Sequence, residues 1–282
     1  MATTTVSGSY QQLIGGEAVP AASGKTLDVE NPANGQVIAR VPSGDEEDVR
    51  RAVDAAETAF EVWKQTTPAD RSAILFRIAD AIEANGDELH ALEAAQTGKP
   101  RNVAEVEIPA IVDVFRYFAG ASRNMEGKAA NEYIAGRTSM IRREPVGVVG
   151  SIAPWNYPLY LSAGPLVEIL AAGNRAIVKP SELTPLFADY LKRAVAESFR
   201  EDEVSVVTGG PEVARHVAGP AAAPADIRFG GLPVPAPRAL GFVGPATFEP
   251  SLQQQPGPAA SIPDPWRFPS VGAQPAMALE PA

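Results

Sequence analysis

An α/β fold built on a doubly wound parallel sheet is predicted by three features of this 282-residue chain. Between residues 148 and 218, short Val- and Ile-rich runs alternate with longer helix-periodic segments, the pattern of helices packed on both faces of parallel strands. The first 130 residues are mostly helix-periodic after an extended start. Two polar loops, "APWNYP" (153–158) and "KPSE" (179–182), stand where buried strands should end. Ligands of such sheets sit beyond the carboxyl ends of the strands, so these loops are where chemistry is expected.

Each element has its own signal. "NPANG" (31–35) marks a turn in the extended start. In 45–63, Val49, Val53, Ala56, Phe60 and Trp63 fall on one helical face, and Asp45, Glu46, Glu47 and Asp48 crowd the first turn. Anions are stabilised at the positive end of the helix dipole, so this acidic run reads as a cap and not a site. The next helix starts with Thr67 as N-cap and Pro68 at its first position, with Ile74, Ile78 and Ile82 on one face. A further helix from Asp87 stops at "TGKP", where Gly98 and Pro100 end it. Residues 107–122 are predicted helical despite their β-branched content, because Pro109 falls near the start.

From Thr138 the period changes. "TSMIRREPVGVVGSI" runs from polar and basic residues into continuous Val and Ile, an exposed strand giving way to a buried one. A helix over 158–173, a strand over 175–180, a helix over 184–199, a strand over 203–210 and a short helix over 211–218 follow. Beyond residue 219, 14 of the 27 prolines and 6 glycines crowd into residues 220–282 without any lysine. That composition predicts a disordered Pro/Gly/Ala-rich tail, and hence an incomplete sheet.

Bulk properties exclude several functions. A formal charge of −10 disfavours nucleic acid or an anionic membrane as partner. With no cysteine, the chain holds no disulfide, no thiolate metal ligand and no thiol nucleophile. No leader-like N-terminus and no membrane-length apolar run is present, which points to the cytoplasm. His90 and His216 are too isolated for a metal pair or a Ser/His couple, and the carboxylates form no metal-ligand pattern.

Asn156 stands at a strand end just before Pro158. Spacing favours an N-cap role for its side chain; the functional alternative is an amide donor to a developing oxyanion. Lys179 and Glu182 either form an ion pair in a solvated turn or bind a ribose diol, the ammonium donating and the carboxylate accepting. The usual Gly-x-Gly-x-x-Gly fingerprint is missing.

"PVGVVGSIAPWNYPL", "LAAGNRAIVKPSELTP" and "VVTGG", with "NPANGQVIARVP" and "TGKP" upstream, resemble the N-terminal half of the NAD(P)-dependent aldehyde dehydrogenase superfamily over residues 10 to 215. "EIPAIVDVFRYFAGASRNMEG" is similar to the aminobutyraldehyde and betaine aldehyde branch. "PLYLSAGPLVEILAAGNRAIVKPSELTP", where Gly164 and Pro165 replace a Trp-Lys pair, is more like the coniferyl aldehyde branch. The resemblance implies a Rossmann-like cofactor domain with its helical part at 1–130, an oligomerisation arm at 131–147, the βαβαβ cofactor region at 148–218 and a non-family tail at 219–282. It assigns the oxyanion amide to Asn156, the cofactor cleft to Ile152 and Trp155, and the adenosine ribose to Lys179 and Glu182 with Pro180 and Ser181 beside them. NAD is the implied cofactor, favoured over NADP by the Glu182 carboxylate, and an aldehyde is the implied substrate. The family's cysteine nucleophile is missing, its Phe-Thr-Gly-Ser strand survives at best as "ADIRFGGL" (225–232), and no "ELGGK"-like segment follows. The expectation is therefore an inactive, truncated or frameshifted fragment; the alternative is a catalytically dead subunit that joins an intact dehydrogenase, as homo- or hetero-oligomer, through 131–147.

Overall fold

The computed structural model describes residues 10–127, 131–140, 143–186, 190, 204–219, 228–229 and 232–233. The chain divides into units Met1–Ala246 and Thr247–Ala282, the second wholly outside the described residues, as is most of the proline-rich segment.

Four strands precede the first helix: β1 (Gln12–Ile14), β2 (Glu17–Val19), β3 (Thr26–Asn31) and β4 (Gln36–Pro42). β3 and β4 form a separate hairpin. Asn31 closes its turn, with its carbonyl accepting from Gly35 N at 2.8 Å and its side chain from Ala33 N at 2.9 Å. The helices α1 (Glu46–Trp63), α2 (Pro68–Ala84), α3 (Gly86–Thr97), α4 (Arg101–Ala104) and α5 (Glu107–Ala121) come next. α1 and α2 both begin with capping boxes, Asp45 with Asp48 and Thr67 with Asp70, so the acidic first turn does act as a cap. Asp48 does more than that. Fully buried, it also accepts from Ala22 N at 3.1 Å and ties the β2–β3 loop to the helix start.

A hairpin of β5 (Asn131–Ile134) and β6 (Arg137–Ser139) precedes β7 (Val148–Ile152), α6 (Pro158–Ala171), β8 (Arg175–Lys179), β9 (Val204–Val206) and α7 (Pro211–Ala218). Of the helix predicted at 184–199, residues 184–186 are not helical, Tyr190 is, and the rest lies outside the described residues. The main sheet has five strands in the order β2-β1-β9-β8-β7. β7, β8 and β9 are parallel, whereas β1 runs antiparallel to β9, with Leu13 opposite Val206. The sheet is thus mixed and not wholly parallel. β1 is only three residues long and its partner lies some two hundred residues away, so local pattern carries no sign of the pairing.

Side-chain alternation along β8 shows the double winding. Ala176 and Val178 enter a core with α2, α5 and α6, while Ile177 faces Val49, Ala52 and Val53 of α1 and Val213 and Val217 of α7. All five β8 residues are buried, as expected of a central parallel strand. β7, the strand read as buried from "VGVVGSI", is the last strand of the sheet, and only Ser151 on it is fully buried. The segment proposed to preserve another sheet strand instead forms a two-residue pairing, β10 (Arg228–Phe229) against β11 (Leu232–Pro233), separate from the main sheet.

Candidate active site

β7 and β8 pair so that Ile152 stands opposite Lys179, and both candidate loops leave the same edge of the sheet. The ladder continues one residue further, with Ala153 N donating to the Lys179 carbonyl at 2.9 Å. Thr184 Oγ1 then donates to the Trp155 carbonyl at 3.5 Å, a second link between the loops. All seven predicted residues, Ile152, Trp155, Asn156, Lys179, Pro180, Ser181 and Glu182, therefore sit on two adjoining segments. Ile152 is half-buried against the α1–α7 core, whereas Trp155 is 55% exposed.

The Lys179 side chain is 3% exposed and Nζ donates to Glu182 Oε2 at 3.1 Å, while the Glu182 side chain is 35% exposed. A solvated turn does not describe this pair. Burying an unpaired ammonium costs several kcal/mol, about what the adjacent carboxylate must offset. The result is a buried cation under an accessible anion. Pro180 and Ser181 are buried beside them, and Ser181 Oγ accepts from Leu183 N at 3.3 Å, which shapes the turn.

Asn156 does not cap α6. The N-cap is Tyr157, without a side-chain cap bond, so the spacing argument for a capping amide fails by one residue. Asn156 is exposed, and among the described residues its side-chain amide has no hydrogen-bond partner. What is held is its backbone: Lys99 Nζ donates to the Asn156 carbonyl at 3.0 Å.

Lys99 was legible only as part of a helix stop, yet it is a hub of the site. Its Nζ also donates to Glu93 Oε1 at 3.0 Å and to Glu107 Oε1, and lies 4.3 Å from the centre of the Tyr157 ring. Burial works against its charge, and the two carboxylates outweigh burial to hold Lys99 above its ordinary value. Glu93, 1% exposed, is pushed up to about 8, first by burial and then, against the pull of Lys99, by Glu107. Nothing local links Glu93, Lys99 and Glu107; a lysine between glycine and proline is the one unusual mark in the sequence.

A nicotinamide dinucleotide fits this donor set. Its ribose diol calls for one donor and one acceptor at the carboxyl edge of parallel strands, and Lys179 and Glu182 stand there. A cavity of about 370 Å³, lined by residues such as Lys25, Thr26, Arg40 and Pro42, includes none of the seven candidates. His90 lies on α3 and His216 in the last turn of α7, and the described residues hold no cluster of three metal-ligating side chains.

Comparison with known proteins identifies the family. A "Probable aldehyde dehydrogenase" of Mycobacterium tuberculosis is 40% identical over 211 residues, 74% of this chain and 41% of that protein. An "Acetaldehyde dehydrogenase" of Pseudomonas aeruginosa is 41% identical over 209 residues, with 74% and 41% covered. The NAD+ complex of an aldehyde dehydrogenase from Bacillus cereus superposes with a TM-score of 0.70 at 38% identity, over 75% of this chain and 44% of that one. The chain thus spans about two-fifths of the length of the curated relatives it matches. The family described as "Aldehyde dehydrogenase family" matches residues 19–229, and the chain belongs to it.

Proposed function

We propose that this chain is a nicotinamide-dinucleotide-binding part of an aldehyde-oxidising dehydrogenase. The observation that carries the reading is the buried Lys179 ammonium paired with the accessible Glu182 carboxylate, one strand away from an Asn156 amide that has no partner among the described residues. Lys179 and Glu182 hold the adenosine ribose, Pro180 and Ser181 form the wall beside it, and Ile152 and Trp155 line the cleft. The Asn156 NH2 donates to the oxygen that gains negative charge when an aldehyde carbonyl is attacked. NAD, when bound, supplies the hydride acceptor; the NAD+ complex of the Bacillus cereus relative supports that choice. The 282 residues include no cysteine, so in this reading the attacking thiolate comes from elsewhere.

Isothermal titration tests the binding role. NAD+ is expected to bind, and Lys179→Met, which removes the buried donor, is expected to weaken binding at least tenfold. No heat of binding at millimolar NAD+ would overturn the reading. Aldehyde-dependent NADH formation by the purified chain would overturn the assignment of the thiolate to other residues.

A second reading is favoured by one observation. The β5–β6 hairpin pairs only with itself among the described residues, and the nearby Met140 and Val146 are 71% and 61% exposed. We propose that segment 131–147 is available to join another dehydrogenase subunit. Co-expression with an intact family member and co-purification decides this, since recovery of the chain alone removes it.

A further inference from the structure

The third donor of Lys99 raises a question that ion pairing does not answer. An ammonium has three N–H groups. Two of them, donated to Glu93 and Glu107, already pair the cation with two buried carboxylates. The third leaves this cluster and grips the carbonyl of Asn156 across 57 residues of sequence, while the same Nζ sits over the ring of the next residue, Tyr157. Lys99 itself is held from behind. Gly98 ends α3 at φ 71° with its Cα against Pro32, so that a Cβ there would come within 2.7 Å of Pro32 Cγ.

Asn156 needs such a grip. Its amide has no partner among the described residues, and α6 follows the N-cap Tyr157 without a side-chain cap bond to fix the entry of the chain. The other tether nearby, Thr184 to the Trp155 carbonyl, is neutral, long at 3.5 Å and one residue removed. A hydrogen bond from a charged donor is roughly twice as strong as a neutral one, so the Lys99 contact dominates the placement of this backbone. A donor to a developing oxyanion contributes only if it is held in place before the charge appears.

We propose that Lys99 is the positioning residue of the Asn156 amide, with Glu93 and Glu107 aiming its ammonium; this rests on the reading of Asn156 as the oxyanion donor. A lysine that served only to neutralise the two glutamates would leave Asn156 unchanged when all three charges are removed together.

That is the test, made on the full 15N-labelled chain without ligand. In the triple variant Lys99→Met, Glu93→Gln, Glu107→Gln, which leaves no buried charge unpaired, the backbone amide signals of Asn156 and Tyr157, on either side of the carbonyl that loses its charged donor, should move toward those of an unstructured chain. Exchange of the Tyr157 amide should rise at least tenfold, while the melt stays cooperative. A folded triple variant with unchanged Asn156 signals and Tyr157 exchange would overturn the proposal. The unmutated chain supplies an independent check: the Lys99 ammonium should give a slowly exchanging 15N signal with an Overhauser contact to the Tyr157 ring, and its absence would overturn the proposal whatever the variants do. Failure to bind NAD+ would count against the proposed function alone, because none of these signals needs ligand.

Discussion

At Glu182 one carboxylate faces two ways: Oε2 accepts from the buried Lys179, and the rest of the group is open to a ligand. In the proposed binding role its charge would bear on cofactor choice, since a 2'-phosphate brought beside a carboxylate is repelled. Glu182→Gln keeps a carbonyl acceptor for Lys179 and removes the charge. The variant is expected to fold and to narrow the preference for NAD+ over NADP+ several-fold, read as the ratio of the two titrated Kd values; an unaltered ratio would show that Glu182 does not read this position. Arg71 makes a different kind of prediction. Its buried guanidinium donates to the carbonyls of Ala171 at 3.1 Å and Thr66 at 2.7 Å, joining the end of α6 to the start of α2, and burial holds it below its ordinary pKa. Arg71→Met leaves both carbonyls without that donor, and an expected loss of about 2–4 kcal/mol should appear as a lower urea midpoint with NAD+ titration unchanged.

Helix boundaries were the most legible elements because their signals are local. Thr67 and Pro68 start α2, and Gly98 ends α3 in the left-handed conformation that glycine adopts without strain. The two strand-end loops were legible for a related reason: "APWNYP" and "KPSE" each interrupt an apolar run with polar residues and proline. What could not be read depended on distant partners. β1 enters the main sheet beside β9 through a short pairing with no local mark, and Lys99 meets Glu93, Glu107 and Asn156 only after α3, α5 and the β7–α6 loop have packed together. The N-cap reading of Asn156 failed because capping is set by the last non-helical residue, and the chain turns into α6 one position later. Gly98 joins the two kinds of information. Gly98→Ala would place a methyl within 2.7 Å of Pro32 Cγ and force a left-handed alanine. The expected cost of about 1–3 kcal/mol should be measurable by denaturation, together with faster amide exchange at Tyr157 as Lys99 loses its seat. Wild-type stability in this variant would mean that the "TGKP" turn adapts without strain.

Over the whole molecule, two groups of carboxylates push stability in opposite directions with pH. Glu47 and Asp70 are held below their ordinary values, Glu47 first by its hydrogen bond with Arg50 and Asp70 first by its bond with the Thr67 hydroxyl. Their contribution is present above the unfolded pKa and is lost as acid titrates them in the folded state. Both are fully exposed, so this acid limb should be shallow and weaken with salt. Glu93 works in the other sense. Faced by Lys99 from the α3–α4 loop and by Glu107 from α5, it rises from an ordinary 4.5 to about 8, chiefly through burial. Between those values the folded chain binds more protons than the unfolded one, so stability is fully present below 4.5 and is lost as pH rises through about 8. The loss should be on the order of a few kcal/mol, and the chain, already at a formal −10 at neutral pH, gains further negative charge over the same range. Maximum stability is therefore expected on the acid side of neutrality. Urea unfolding from pH 5 to 9 should show a falling midpoint in the wild-type chain and a much flatter one in Glu93→Gln, which keeps the Lys99–Glu107 pair. The two proteins should nearly agree at pH 5, where Glu93 is still neutral in the folded chain, and diverge progressively from there to about pH 8. Parallel profiles across the whole range would place the alkaline loss elsewhere than in this cluster.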